Sequence, residues 1–161
     1  MSPELDPARL GDHLDRLYRA AWALAGNRED AEDLVQETYV RVLARPRMLR
    51  NDDDLGYLLR VLRNAFLTQL RDRGRRPSTV PMPDEPLVED RVAPSPQGAL
   101  EAREVYAAVA ALPDDYRDAV VAVDVAGLSY REAARALGTK EGTIMSRLYR
   151  GRQRVARAVG G

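Results

Sequence analysis

Residues 128–155, LSYREAARALGTKEGTIMSRLYRGRQRV, decide the fold: they read as two short helices joined by a glycine-containing turn, the second loaded with arginine. With Ile144 at zero and a step of about 100° per residue, Leu148, Gly151 and Val155 fall beside it, a narrow stripe that must face a core. Thr143, Ser146, Arg147, Arg150, Arg154 and Arg157 are assigned to the opposite arc, and no acidic residue follows Glu141 in this helix. Arginine offers a rigid fork of donors to guanine or to phosphate oxygens, and hydroxyls can bond either. Five basic side chains over residues 142–157, none with an acidic partner in the local sequence, weigh for DNA contact over a merely solvated face.

The punctuation of the segment agrees. Ser129 followed by Glu132 is a capping box, in which each side chain satisfies an unpaired amide at the start of the first helix. Gly138 allows the tight turn, and Thr139 is the expected cap of the second helix. A pair of helices so arranged places the second in the major groove of a duplex.

Working outward, 161 residues suffice for one ordinary domain or two small ones. Six of the ten prolines, Pro77, Pro81, Pro83, Pro86, Pro94 and Pro96, fall between residues 77 and 96, where they suppress helix and favour extended chain. The expected organisation is all-α: a helical domain over residues 1–76, a Pro-rich acidic linker over 77–97, and a second helical domain of four helices over 98–161. Formal charge is zero, but residues 127–161 carry eight basic and two acidic side chains and residues 60–76 carry six arginines and one aspartate. The acids concentrate in residues 29–37, at Asp52 to Asp54, and at Asp84, Glu85, Glu89 and Asp90. Separate basic and acidic surfaces suit two kinds of partner, one of them polyanionic. With no cysteine there is neither a disulfide framework nor a thiolate metal site. No apolar run approaches a membrane span and no signal core follows a charged N-terminus, so a cytoplasmic protein without membrane insertion is expected.

In the first domain, residues 8–24 place Leu10, Leu14, Leu17, Tyr18, Ala21 and Trp22 at helical spacing. Asn27 is the next cap, and Glu29, Asp30, Glu32 and Asp33 follow where carboxylates favour the positive end of the helix dipole. Around Leu34, the residues Ala31, Val35, Thr38 and Val42 form the expected buried arc, while Asp30, Asp33, Gln36, Glu37 and Val40 are assigned to the outer one. An acidic patch with an apolar residue set in it fits a protein interface, and a plain solvated face fits it nearly as well. A third helix is expected from the aspartates at 52–54, read as a cap rather than metal ligands, to about Arg73. It buries Leu55, Leu58, Leu59, Leu62, Phe66 and Leu70, and its far side carries Arg60, Asn64, Leu67, Thr68 and Arg71. That face could bind a nucleic-acid strand, with Asn64 at a base edge, or be surface only. In the second domain an alanine-rich helix ends near Leu112, Pro113 takes the first helical position of the next, and Gly127 ends that one.

Together these segments resemble the sigma-70 family of bacterial transcription initiation factors, specifically its extracytoplasmic-function (ECF) group. GNREDAEDLVQETYVRV at 26–42 is similar to region two, YLLRVLRNAFLTQLR at 57–71 to its DNA-facing helix, and LPDDYRDAVV at 112–121 with the 128–155 run to region four. The resemblance implies that Asp30, Asp33, Gln36, Glu37 and Val40 dock on core RNA polymerase, chiefly the beta-prime clamp, with beta as the second contact. It implies that Arg60, Asn64, Leu67, Thr68 and Arg71 serve the minus-ten element, Asn64 by capturing an extruded base. Thr143, Ser146, Arg147, Tyr149, Arg150 and Arg154 would meet the minus-thirty-five element, phosphate contacts supplying affinity and base contacts choice. An anti-sigma factor is a further partner implied. Tyr57 stands where many relatives have tryptophan and Met145 where lysine or arginine is common, so the promoter sequence does not transfer.

Two rival readings remain: a two-domain helix-turn-helix regulator that binds duplex DNA without polymerase, and a sigma-mimicking decoy of an anti-sigma factor. The first lacks a strand pattern or acidic pocket for a sensor, and the intact arginine face opposes the second. No catalytic residue, metal or cofactor is expected: His13 is the only histidine, and Tyr116 and Tyr130 read as packing residues.

Overall fold

A left-handed glycine followed by a capping asparagine breaks the first helical run. Gly26 takes φ 84° and its amide bonds the Trp22 carbonyl. Asn27 then opens the next helix, accepting the Asp30 amide on Oδ1 at 2.9 Å and donating Nδ2 to the Asp30 carboxylate at 2.7 Å. The computed structural model describes residues 13–44, 54–73 and 96–160, with side chains from residue 101 onward in the last stretch. The described residues are helical throughout: α1 Leu14–Ala25, α2 Arg28–Ala44, α3 Asp54–Arg73, α4 Pro96–Ala110, α5 Asp114–Val120, α6 Tyr130–Leu137 and α7 Glu141–Gly160. A π-helical segment, Val121–Val125, continues α5. The Pro-rich stretch expected as linker lies outside the described residues except at its end, where α4 begins at Pro96 rather than after residue 97. Proline at a helix start loses nothing, since its missing N–H would have no intrahelical partner there.

The first unit packs α1 on α2 and α3, and α2 on α3. Ala31, Leu34, Val35, Thr38 and Val42 are buried as their spacing around Leu34 requires. Two expected core residues are not: Leu14 is 41% and Leu70 43% exposed. Small residues take up the contact in α1, where Ala20, Ala21 and Ala23 reach 0% exposure beside Leu17 and Leu24. Leu70 instead lines a cleft of about 190 Å³ shared with Leu24, Phe66, Arg73 and Arg117. Leu10 lies outside the described residues.

In the second unit the packing centres on α7, which α4, α5 and α6 all touch. Pro113 sits one position earlier than expected, as the N-cap, because its ψ of 146° is extended rather than helical. Its carbonyl accepts the Arg117 amide at 2.9 Å. The π segment closes with the Ala126 amide on Val121 and the Leu128 amide on Ala122, one residue further back than the usual helix-ending bond. Gly127, at φ 83°, makes the expected stop.

The two units share one continuous apolar core, with α1 lying on α4 and the π segment and α3 on α6. Charges inserted at this junction are all paired, as burial demands. Arg117, 4% exposed, stacks on the Phe66 ring at 4.8 Å and donates to Asp114 and Asp118. Asp118, 6% exposed, also accepts Nε of Arg63 from α3 at 2.8 Å.

Two packing devices carry predictions. A Cβ on Gly151 would stand 2.7 Å from Val120 Cγ2 and 3.3 Å from the Tyr116 carbonyl oxygen. Gly151→Val should therefore cost about 1–3 kcal/mol, read by chemical denaturation, even though valine is the better helix former. The capping box of α6 is complete: Ser129 Oγ accepts the Glu132 amide at 3.1 Å and Glu132 accepts the Ser129 amide at 2.9 Å. Ser129→Ala should cost about 1 kcal/mol, a fall in Tm of about 2–4 °C for a chain of this size. The Ser129 backbone bond holds the Glu132 carboxyl below its ordinary range. A depressed carboxylate stabilises above its unfolded pKa and ceases to as pH falls through the folded one, so the deficit of Glu132→Ala at neutral pH should vanish on acidification.

Candidate nucleic-acid interface and docking face

The turn between α6 and α7 is set by Gly138 at φ 67°, with the Thr139 amide on the Ala134 carbonyl at 2.9 Å. Thr139 is thus spent on ending α6. The N-cap position of α7 falls to Lys140, whose carbonyl accepts the Ile144 amide, so the cap expected at Thr139 is displaced by one residue. Ile144 and Leu148 are fully buried, Gly151 is buried and Val155 half-buried, which is the stripe the sequence predicts.

The outer face of α7 is a mixture. Ser146, Tyr149, Arg150, Arg154 and Arg157 are exposed, and Thr143 and Arg147 are half-buried at the edge. The expectation of arginines without acidic partners is corrected by residues from other helices. Asp115 of α5 lies 3.7 Å from Arg147, and Asp124 of the π segment takes both nitrogens of Arg152 at 2.8 and 2.6 Å. Arg154 stacks over the Tyr116 ring at 5.3 Å and Arg150 donates to its hydroxyl at 3.5 Å. Local sequence could not show these partners, because each comes from across the α5–α7 seam. Tyr149 is 64% exposed, its hydroxyl accepting Nε2 of Gln153 at 3.0 Å.

On α3, Arg60, Asn64 and Arg71 are exposed and Leu67 and Thr68 half-buried along one side, with the Thr68 hydroxyl donating to the Asn64 carbonyl at 3.0 Å. Arg60 reaches instead to the end of α6, donating to the carbonyls of Arg135 at 3.1 Å and Ala136 at 3.4 Å. These carbonyls lie at the negative end of the α6 dipole, where a cation is favoured.

On α2, Asp33, Gln36 and Val40 are exposed and Glu37 is half-buried, paired with Arg41 at 2.9 Å. Asp30 departs from this face. It is 8% exposed and ion-paired with Arg73 of α3, because a residue four before Leu34 lies one turn away on the same, inward side. The Arg73 guanidinium is held protonated by that bond. Val40 is 61% exposed and Leu43, which the sequence reading omitted, 53%. The spacing Gln36, Val40, Leu43 was the available signal for that addition. His13 heads α1 half-exposed, and among the described residues no cluster of His, Cys, Asp and Glu is placed to hold a metal. No helix among them is long and apolar enough to cross a membrane.

A helical unit with an acidic, apolar-centred face joined to a helix-turn-helix unit with a basic one is the layout of a sigma factor. The family model "Sigma-70 region 2" matches residues 10–76 and "Sigma-70, region 4" matches 102–155. The chain is 41% identical over 150 residues to the ECF RNA polymerase sigma factor SigE of Mycolicibacterium smegmatis, covering 89% of this chain and 57% of that relative's length. It is 37% identical to the ECF sigma factor SigM of Mycobacterium tuberculosis, over 92% of this chain and 74% of the relative. Among solved structures, the sigma factor RpoE of Bartonella quintana in complex with the anti-sigma factor NepR superposes with TM-score 0.73 and 28% identity, covering 95% of both chains. This chain belongs to the sigma-70 family, in its ECF group.

Proposed function

We propose that this chain is a promoter-recognition subunit that docks on core RNA polymerase through α2 and meets promoter DNA through α3 and α7. The observation that carries the reading is the pairing, in one chain, of the exposed arginine face on α7 with the exposed Asp33, Gln36, Val40, Leu43 face on α2. Arg147, Arg150 and Arg154, with Thr143, Ser146 and Tyr149, serve the minus-thirty-five element; Asn64, with Arg60, Leu67, Thr68 and Arg71, serves the minus-ten element. Residues 1–76 and 98–161 act as separate modules, the chain between them spanning the two elements. Runoff transcription with core polymerase on a promoter library is the direct test, and a chain that directs no promoter-specific start refutes the reading. Val40→Asp, a change at a surface position, should leave the fold intact and weaken core binding at least tenfold, as loss of a hot-spot contact does.

The described packing of the two units fits a form that precedes promoter engagement. Elements about 25 base pairs apart are separated by about 85 Å at 3.4 Å per pair, whereas a compact chain of this length has a radius of gyration of about 15 Å. Both elements are reached only when the units part, freeing Arg60 from the α6 carbonyls and Arg63 from Asp118. The likeness to a sigma factor bound by an anti-sigma factor supports an inhibitor of that kind as the partner that holds this form. Arg63→Glu, which puts a like charge against buried Asp118, should raise the solution radius of gyration of the free chain measured by X-ray scattering. An unchanged radius alongside an unchanged melting curve would refute the latch.

A further inference from the structure

Met145 is 54% exposed and Tyr149, one turn later, 64%. Neither is needed by the core, which α7 serves through Ile144 and Leu148. Stepping about 100° per residue from Ile144, Met145, Tyr149 and Arg152 share one flank of the outer face, and Thr143, Arg147, Arg150 and Arg154 the other. The two flanks differ in charge. Arg152, the cation on the Met145 side, is held by two bonds to Asp124, leaving that flank apolar. Across from it, Arg150 lies exposed with only the neutral Tyr116 hydroxyl as partner among its hydrogen bonds.

Resting on the reading of α7 as a helix that enters the major groove, we propose that Met145 is a specificity-determining residue that packs on the C5-methyl group of a thymine in the minus-thirty-five element. That methyl is the apolar feature a base pair offers in the major groove; guanine, adenine and cytosine offer donors and acceptors there. A thioether on an unbranched chain adapts to such a contact and cannot make the bidentate bond that an arginine makes to guanine. Direction also fits. Helical side chains lean toward the N-terminus, so Met145 extends over the first turn of α7, where recognition helices touch bases. Gly142, three residues earlier, has nothing within 4 Å of a would-be Cβ, which leaves the approach of a base edge open. The arginine flank identifies the occupant as a polyanion rather than an apolar protein groove.

The test uses holoenzyme reconstituted from the full chain and core polymerase, on a promoter selected by that holoenzyme from a randomised library. Each thymine of the minus-thirty-five element is replaced singly by deoxyuridine, which removes the methyl and nothing else. With the natural chain, one replacement should weaken binding about three- to fourfold, the worth of one buried methyl. With Met145→Ala, whose folding circular dichroism monitors, the same replacement should have no effect. Equal sensitivity to deoxyuridine in both proteins, or none in the natural chain, overturns the assignment of Met145 while leaving the promoter-recognition reading intact. A holoenzyme that selects no promoter at all overturns both.

Discussion

Gly151 lets α7 lie against α5 with no side chain between them, and the direction in which the arginines point follows from that approach. Val120 fills the space a Cβ would take, so the two axes come close and the buried stripe of Ile144 and Leu148 is fixed inward. Once the stripe is fixed, the 3.6-residue period places every other side chain of α7. Tyr116, on the α5 side of the seam, then becomes a rest for Arg154 and a partner for Arg150, which pre-orders two long side chains that otherwise carry considerable rotamer entropy.

The elements with strong local grammar were legible in the sequence. The capping box at Ser129, the left-handed stops at Gly127 and Gly138, the asparagine cap at Asn27 and the inward stripe of α7 each rest on contacts within about one turn, and all are found. What escaped is long-range. The acidic partners of Arg147 and Arg152, the pairing of Asp30 with Arg73, and the junction of Arg63, Asp118, Arg117 and Phe66 join residues on different helices. Periodicity cannot show them. Leu14 and Leu70 failed as core residues for a related reason: spacing identifies a face, but only the neighbouring helix decides how far along that face the contact runs. On the docking face, Asp30 fell away and Leu43 was added, while Asp33, Gln36, Glu37 and Val40 stayed together on the outward side.

Formal neutrality also acquires a structural meaning. Several acids of this chain are set against its own arginines, at very different strengths. The contact of Arg147 with Asp115 is long and its acid is largely exposed, so it contributes little to stability and is easily exchanged for a phosphate. Asp118 is buried, and removing its arginine leaves an uncompensated charge at much greater cost. The basic face is therefore kept ready by weak internal partners, while the strong pair sits where the two units meet.

The π-helical turn at Val121–Val125 is the mark of one residue more than a regular helix would hold. A residue accommodated in this way advances everything after it by about 100° around the axis. It is this offset that swings Asp124 across to Arg152 and brings Gly127 round to its stop. Excising a single residue there would leave both flanking helices well formed, each apolar face intact, and yet send the chain into α6 from the wrong side of the cylinder. The bearing of the whole helix-turn-helix is in this sense set by a count rather than by any one side chain.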